Sequence, residues 1–200
     1  MTTMSWAAHP VGDAEVIQLS LDESERFSAI FDLYFGEIHR YVAQRLGADH
    51  AEDVVAETFL TAFRKRARYD PSLASVRAWL YGIATNLIGK HRRFEVRTLR
   101  ALGRYGVDTD VPGHEEQVAT QVSAESLRPS LAAAMAGLNQ RDRDVLLLVA
   151  LAGLSHEEIA TALDIPYGTV GSRLNRARKK LRATLGGTNP ILESEEAGRG

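Results

Sequence analysis

From Phe27 onward, apolar residues return at three- and four-residue steps: Phe27, Ile30, Phe31, Tyr34, Ile38, Tyr41, Val42 and Leu46. That spacing draws one stripe along an amphipathic helix, which Gly47 ends. A second helix, from about Ala51, places Val55, Phe59, Ala62 and Phe63 on one face and stops before the turn Tyr69-Asp70-Pro71-Ser72. A third is predicted over residues 75–97, with Val76, Leu80, Ile83, Leu87 and Phe94 toward the core. These helices make a first domain over residues 26–97. Residues 1–25 show no sustained period and are expected to be a mobile arm without assigned structure.

Residues 98–126 read as a linker, because Gly103, Gly106, Pro112 and Gly113 interrupt a polar, acidic stretch. A second domain follows over residues 127–186. Leu127, Leu131, Met135 and Leu138 keep a helical period, Asn139 is placed to cap the helix that carries Val145 to Leu151, and Gly153 closes it. Ser155-His-Glu-Glu158 is a capping box in front of Ile159, Ala160 and Leu163. After the turn Asp164-Ile165-Pro166, Val170, Leu174, Ala177 and Leu181 give the buried stripe of a long basic helix that ends at Gly186-Gly187. Residues 187–200 are expected to be a disordered acidic tail. The predicted fold is all-α: two small helical domains joined by a flexible linker, the second ending in a helix-turn-helix.

Composition supports this picture and removes alternatives. Of the 200 residues 44% are apolar, 25% charged and only 7% aromatic, a globular composition without the β-branched runs of a sheet protein. The absence of cysteine excludes a disulfide framework and any Cys-ligated metal. Neither a signal peptide nor a membrane-length apolar run is present, so the expected location is the cytoplasm, without membrane insertion.

The net charge of −2 hides a segregation. Eleven Lys and Arg residues from Arg64 to Arg104 are opposed only by Asp70 and Glu95, and Arg173, Arg176, Arg178, Lys179, Lys180 and Arg182 form a second basic block. Acidic residues collect before, between and after these blocks. The chain therefore presents two basic surfaces separated by acidic spacers.

At about 100° per residue, Ser172, Arg176 and Lys179 fall opposite the Val170–Leu174–Ala177–Leu181 stripe, flanked by Thr169, Arg173, Asn175 and Lys180. Such a face can donate hydrogen bonds to base edges and phosphates in a major groove. On the third predicted helix, Trp79, Asn86 and Arg93 make one row with Gly82 between them and Lys90 alongside. An aromatic, an amide and a cation in a row suit stacked single-stranded bases, while a core tryptophan beside a surface amide fits the same spacing. The six histidines are scattered, with no HExxH pair and no phosphate-binding glycine loop. No catalytic constellation, metal site or cofactor is expected.

Three segments, DVVAETFLTAFRKRARYD, SVRAWLYGIATNLIGKHRR and LNQRDRDVLLLVALAGLSHEEIATALDIPYGTVGSRLNRARKKL, resemble in order and spacing the two domains of extracytoplasmic-function sigma factors. The resemblance implies a non-enzymatic subunit that binds core RNA polymerase, directs promoter recognition and strand opening, and is held by an anti-sigma factor. It implies that Asp53, Glu57 and Phe59 meet core polymerase. It implies further that Arg68, Tyr69, Trp79, Asn86, Lys90, Arg92 and Arg93 serve the minus-ten element, and that Thr169, Ser172, Arg173, Asn175, Arg176 and Lys179 serve the minus-thirty-five element as duplex. Ala56 stands where the family usually has Gln, and Gly171 where Lys or Arg is common. For the linker, a nucleic-acid-mimicking role and a plain tether both stand. A stand-alone helix-turn-helix regulator is the alternative, separated from the first reading by whether the proximal domain binds polymerase.

Overall fold

The structure, a computed structural model, describes residues 12–104 and 129–185, and among the described residues every regular element is helical. Helix α1 (Asp13–Leu19) lies within the stretch expected to be an unstructured arm. Its Ile17 is buried, Ser20 Oγ donates to Ile17 O at 2.6 Å, and Asp13 accepts a hydrogen bond from Tyr34 of helix α2 (Ser28–Leu46). Two turns with one buried anchor carry too little period to be read from sequence, so the expectation for residues 1–25 is corrected at residues 13–19.

On α2 the stripe Ile30–Tyr34–Ile38–Tyr41–Val42–Leu46 is buried as predicted, but Phe31, expected on it, lies at its edge and reaches the surface. Gly47 then adopts φ 86°, which favours glycine, and helix α3 (Ala48–Lys65) begins at once, three residues ahead of the expected start. A 3-10 turn (Arg66–Arg68) and a short loop lead to helix α4 (Val76–Lys90), whose cap Ser75 accepts from Ala78 N. The single helix expected over 75–97 breaks at His91, and the break rotates Phe94, expected toward the core, out to the surface. Helix α5 (Arg92–Arg104) then runs past the expected linker boundary at 98. It turns Glu95 and part of Leu99 inward and leaves arginines outside, a strongly two-sided pattern that supports helix beyond Arg97.

Residues 129–136 form helix α6. Helix α7 (Gln140–Ala150) is capped by Asn139, which accepts from Asp142 N, and helix α8 (His156–Ala162) carries both bonds of the Ser155–Glu158 capping box. Asp164 takes φ 50°, tolerated by its short polar side chain, and the chain turns into helix α9 (Tyr167–Thr184). Ile159, Val170 and Leu174 are buried together, the core expected of the helix-turn-helix.

The two helical groups do not stand apart. One apolar cluster extends from Ile17 through α2, α3 and α4 to Leu174, and a smaller one joins Leu99 of α5 to Met135, Leu138 and Ala177. Helix α8 lies across α4 at Gly82, where a Cβ would overlap the backbone carbonyl of Ala162. Roughly two turns further along, a Cβ on Gly89 would come within 2.6 Å of Gln140 Nε2 of α7.

Candidate nucleic-acid interfaces

Helix α4 presents Asn86 and Lys90 to solvent, and Arg93 follows exposed on α5. Trp79 is half-buried, its ring 5.0 Å from that of Tyr69, whose hydroxyl donates to Ala74 O at 2.8 Å. The structure thus brings Tyr69, Trp79 and Asn86 to one side, with Trp79 both packed and edge-accessible. Arg68 is exposed beside them; the side chain of Arg92 lies outside the described residues. The loop between is ordered by Asp70, which accepts from Ser72 N at 2.9 Å and Ser72 Oγ at 2.7 Å, bonds that hold its carboxyl below the usual carboxylate range. Leu73 sits on this loop with 67% of its surface exposed, an apolar group that no sequence period marks among its polar neighbours.

Because Gly82 and Gly89 lie within about 60° of Asn86 around the helix, the row expected to receive bases is also the face that packs on α7 and α8. Asn86 stays exposed at the rim of that contact.

On α9, Ser172, Asn175, Arg176 and Lys179 are exposed, while Thr169 and Arg173 are half-buried on the flank. Arg176 is oriented by Asp142 of α7, its Nη2 donating to Oδ1 at 3.1 Å and its Nε to Oδ2 at 3.3 Å. Its side chain is still 60% exposed, so it is aimed rather than consumed by this pair. Ser172 Oγ donates to Thr169 O, and no heavy atom outside its own turn comes within 4 Å of a Cβ built on Gly171.

Asp53 and Glu57 are exposed on α3 with Ala56 between them. Phe59 is not available to a partner. The helix phase turns it to the core, 4% exposed, where its ring meets Phe31 edge-on at 4.9 Å. Phe31 and Leu60, about 40% exposed, are the apolar groups that reach the surface beside the two carboxylates.

Where the two groups of helices meet, four ions are buried together. Arg45 of α2 donates through Nε to Glu95 Oε1 of α5 at 2.7 Å, through Nη2 to Asp144 Oδ1 of α7 at 2.5 Å, and through Nη1 to Tyr41 Oη at 2.7 Å. Arg143 of α7 donates to the second oxygen of Glu95 at 3.0 Å and to the carbonyls of Met135 and Leu138. Burial pushes the Asp144 carboxyl up against the pull of Arg45. At the edge, Arg77 bridges Glu37 of α2 at 2.9 Å and the carbonyl of Ala152 at 2.6 Å, and Ser75 Oγ donates to Glu158 of α8 at 3.3 Å.

Among the described residues no three His, Asp or Glu side chains gather as metal ligands, and no helix is long and apolar enough to cross a membrane.

Comparison with known proteins gives matches over both helical groups. Residues 30–98 match the family described as Sigma-70 region 2, and residues 128–181 match Sigma-70, region 4. The chain is 35% identical over 174 residues to the ECF RNA polymerase sigma factor SigL of Mycobacterium tuberculosis, covering 86% of this chain and 96% of that protein. It is 30% identical over 181 residues to SigW of Bacillus subtilis, covering 84% and 93%. Among solved structures, CnrH in complex with the cytosolic domain of CnrY superposes with a TM-score of 0.61 at 21% identity, over 88% of this chain and 99% of that one, which bears on the fold. The sigma factor RpoE of Bartonella quintana in complex with the anti-sigma factor NepR gives 0.53 at 25% identity, over 80% and 96%.

Proposed function

The chain belongs to the extracytoplasmic-function sigma factors, and from that membership we propose which of its surfaces perform each step of initiation. It binds core RNA polymerase and directs promoter recognition, strand opening and transcription initiation, a role that needs no catalytic step of its own.

The minus-ten element, as opened strand, is taken by the Tyr69–Trp79–Asn86 side of α4, with Arg68 at its edge and Lys90, Arg92 and Arg93 following the backbone. The carrying observation is Asn86: an exposed amide in one row with a half-buried, stacked Trp79, beside a pre-ordered loop. An amide can pair with the inner edge of a base only once the base has left its partner, whereas phosphate contacts are sequence-blind. The minus-thirty-five duplex is read by Ser172, Asn175 and Arg176 of α9, with Thr169, Arg173 and Lys179 toward the backbone. Asp53 and Glu57, joined by Phe31 and Leu60 rather than by Phe59, form the polymerase-facing surface. Residues 26–97 and 127–186 are the two working units, joined by residues 98–126, of which 98–104 continue α5. An anti-sigma factor is a further partner, supported by the solved relative RpoE, and the place of action is the cytoplasm.

The test is Asn86→Ala in the reconstituted holoenzyme, with transcription measured on a duplex promoter and on one with a pre-melted bubble. Open-complex formation on duplex is expected to fall by an amount equivalent to about 1–3 kcal/mol, with initial capture retained. Wild-type activity on both templates would overturn the assignment.

A further inference from the structure

Helix α5 holds one acidic residue among five arginines, and that acid, Glu95, faces inward onto Arg45 and Arg143. On the opposite side Arg93, Arg97, Arg100 and Arg104 fall within an arc of about 60° and reach the surface. With Lys90 they line one concave surface, in which Phe94, Val96 and Ala101 supply the floor. Among the described residues none of these five cations is in a salt bridge, although other surface arginines, Arg26 and Arg77, are. Like charges at three- and four-residue spacing repel along a helix, so this ridge costs stability unless an anion covers it.

The geometry selects the anion. From Arg93 to Arg104 the ridge is about 16 Å long, the rise of about five nucleotides along one strand of a duplex. Single-stranded nucleic acid is gripped by aromatic platforms between the cations, and the one ring here, Phe94, is already engaged with His50 at 4.3 Å. The ridge begins where the Asn86–Lys90 row of α4 ends.

We propose that Arg97, Arg100 and Arg104 extend the DNA surface of this protein beyond α4, holding phosphates of the promoter duplex between the two recognition elements. The inference rests on the assignment of α4 to the minus-ten element. The contacts are to backbone only, so they add affinity on every spacer sequence alike.

The experiment uses holoenzyme reconstituted with the full chain, wild type or Arg97→Ala/Arg100→Ala, titrated at several salt concentrations against two promoter fragments. One retains the spacer duplex; the other ends at the upstream edge of the minus-ten element. On the long fragment the double variant is expected to lower the log–log salt slope by about 1.8, at about 0.9 for each phosphate no longer neutralised, equally for a scrambled spacer. On the short fragment the two proteins should have the same slope. An unchanged slope on the long fragment overturns the proposal, and so does an equal drop on both, which would place the ridge on melted strand. Weakened core-polymerase binding by the variant would also overturn it, by showing that an acidic protein surface is the occupant. Asn86→Ala run alongside separates the two readings: if Asn86→Ala impairs opening while the slope is unmoved, only the ridge falls; if Asn86→Ala is inert as well, the assignment of α4 falls first.

Discussion

The interior of region 2 and the seam between regions 2 and 4 are both closed to water, but they are made of different groups. Between α2, α3 and α4 the contacts are Ile38, Val42, Val55, Leu80, Ala84 and Ile88, all fully buried hydrocarbon. At the seam the apolar cluster continues from α4 to Leu148, Leu154 and Ile159, but there the large buried side chains include Arg45, Glu95, Arg143 and Asp144, and α8 approaches through the Gly82–Ala162 backbone contact. Parting the first exposes apolar surface at about 25 cal/mol per Å². Parting the second exposes apolar surface too, but it also returns ions to water and recovers a hydration free energy that burial had forfeited. Two faces of equal dryness therefore differ in what separation costs. The first holds one unit together; at the second, ion hydration offsets part of the cost of parting, and the ion pairs fix the register.

The hardest test of that contrast is Arg45→Met, which strands Glu95 and Asp144 with one cation fewer. It should disfavour the closed arrangement by about 3–5 kcal/mol. Small-angle scattering should show an expanded chain while far-ultraviolet dichroism keeps its helical amplitude; loss of helix in parallel would break the distinction. Leu80→Ala should act the other way round. A cavity in region 2 costs about 2–5 kcal/mol, read as a lower urea midpoint for region 2 helices.

Gly82→Ala should have opposite signs on the two sides. An alanine improves α4 by about 1 kcal/mol in helix propensity, yet its Cβ meets the Ala162 carbonyl and forces α8 away. Energy transfer between labels on α3 and α9 should fall while the urea midpoint of region 2 holds or rises. The smallest effect expected is Gly171→Lys on α9, where a side chain would point into open space rather than toward the core or the seam. With open space around the position, the change should add about 0.5–1 kcal/mol of helix propensity and steepen the salt dependence of minus-thirty-five duplex binding by about 0.9, without altering compactness.

The pattern of apolar steps is enough to place α2, α3, α7 and the helix-turn-helix, because each has a stripe of at least four residues or a side-chain cap that acts within three residues. Asn139 and Ser155 are such local devices, and both form the bonds their spacing promises. The seam is not legible in the same way. Its partners are 48 to 99 residues apart, and nothing near Arg45 names Glu95 or Asp144. One sign is present: Arg45 follows Tyr41 by four and Val42 by three, a cation in the middle of an apolar stripe. Glu95, an acid in a basic block, is its counterpart. The break at His91 escapes because the apolar period continues through it, and α1 because two turns hold a single anchor. For the site, α9 can be phased from its own stripe, and so can Phe59, which the Val55–Phe59–Ala62 stripe turns inward; only the resemblance made it a partner contact, and its burial in this structure argues against that role.

The missing side chain at Gly82 also bears on measured affinity. Because α8 rests at Gly82 on the face of α4 proposed for the opened strand, that proposal implies that promoter and α8 compete for it and that chains with the face uncovered are the competent ones. If one chain in a hundred is competent at a given moment, the apparent dissociation constant for that strand is about 100-fold larger than the intrinsic one. Any ligand that binds only the uncovered population removes that factor, and core polymerase would do so if it favours that population. Polymerase and promoter would then gain cooperativity through this chain by thermodynamic linkage, over and above any contact they make with each other.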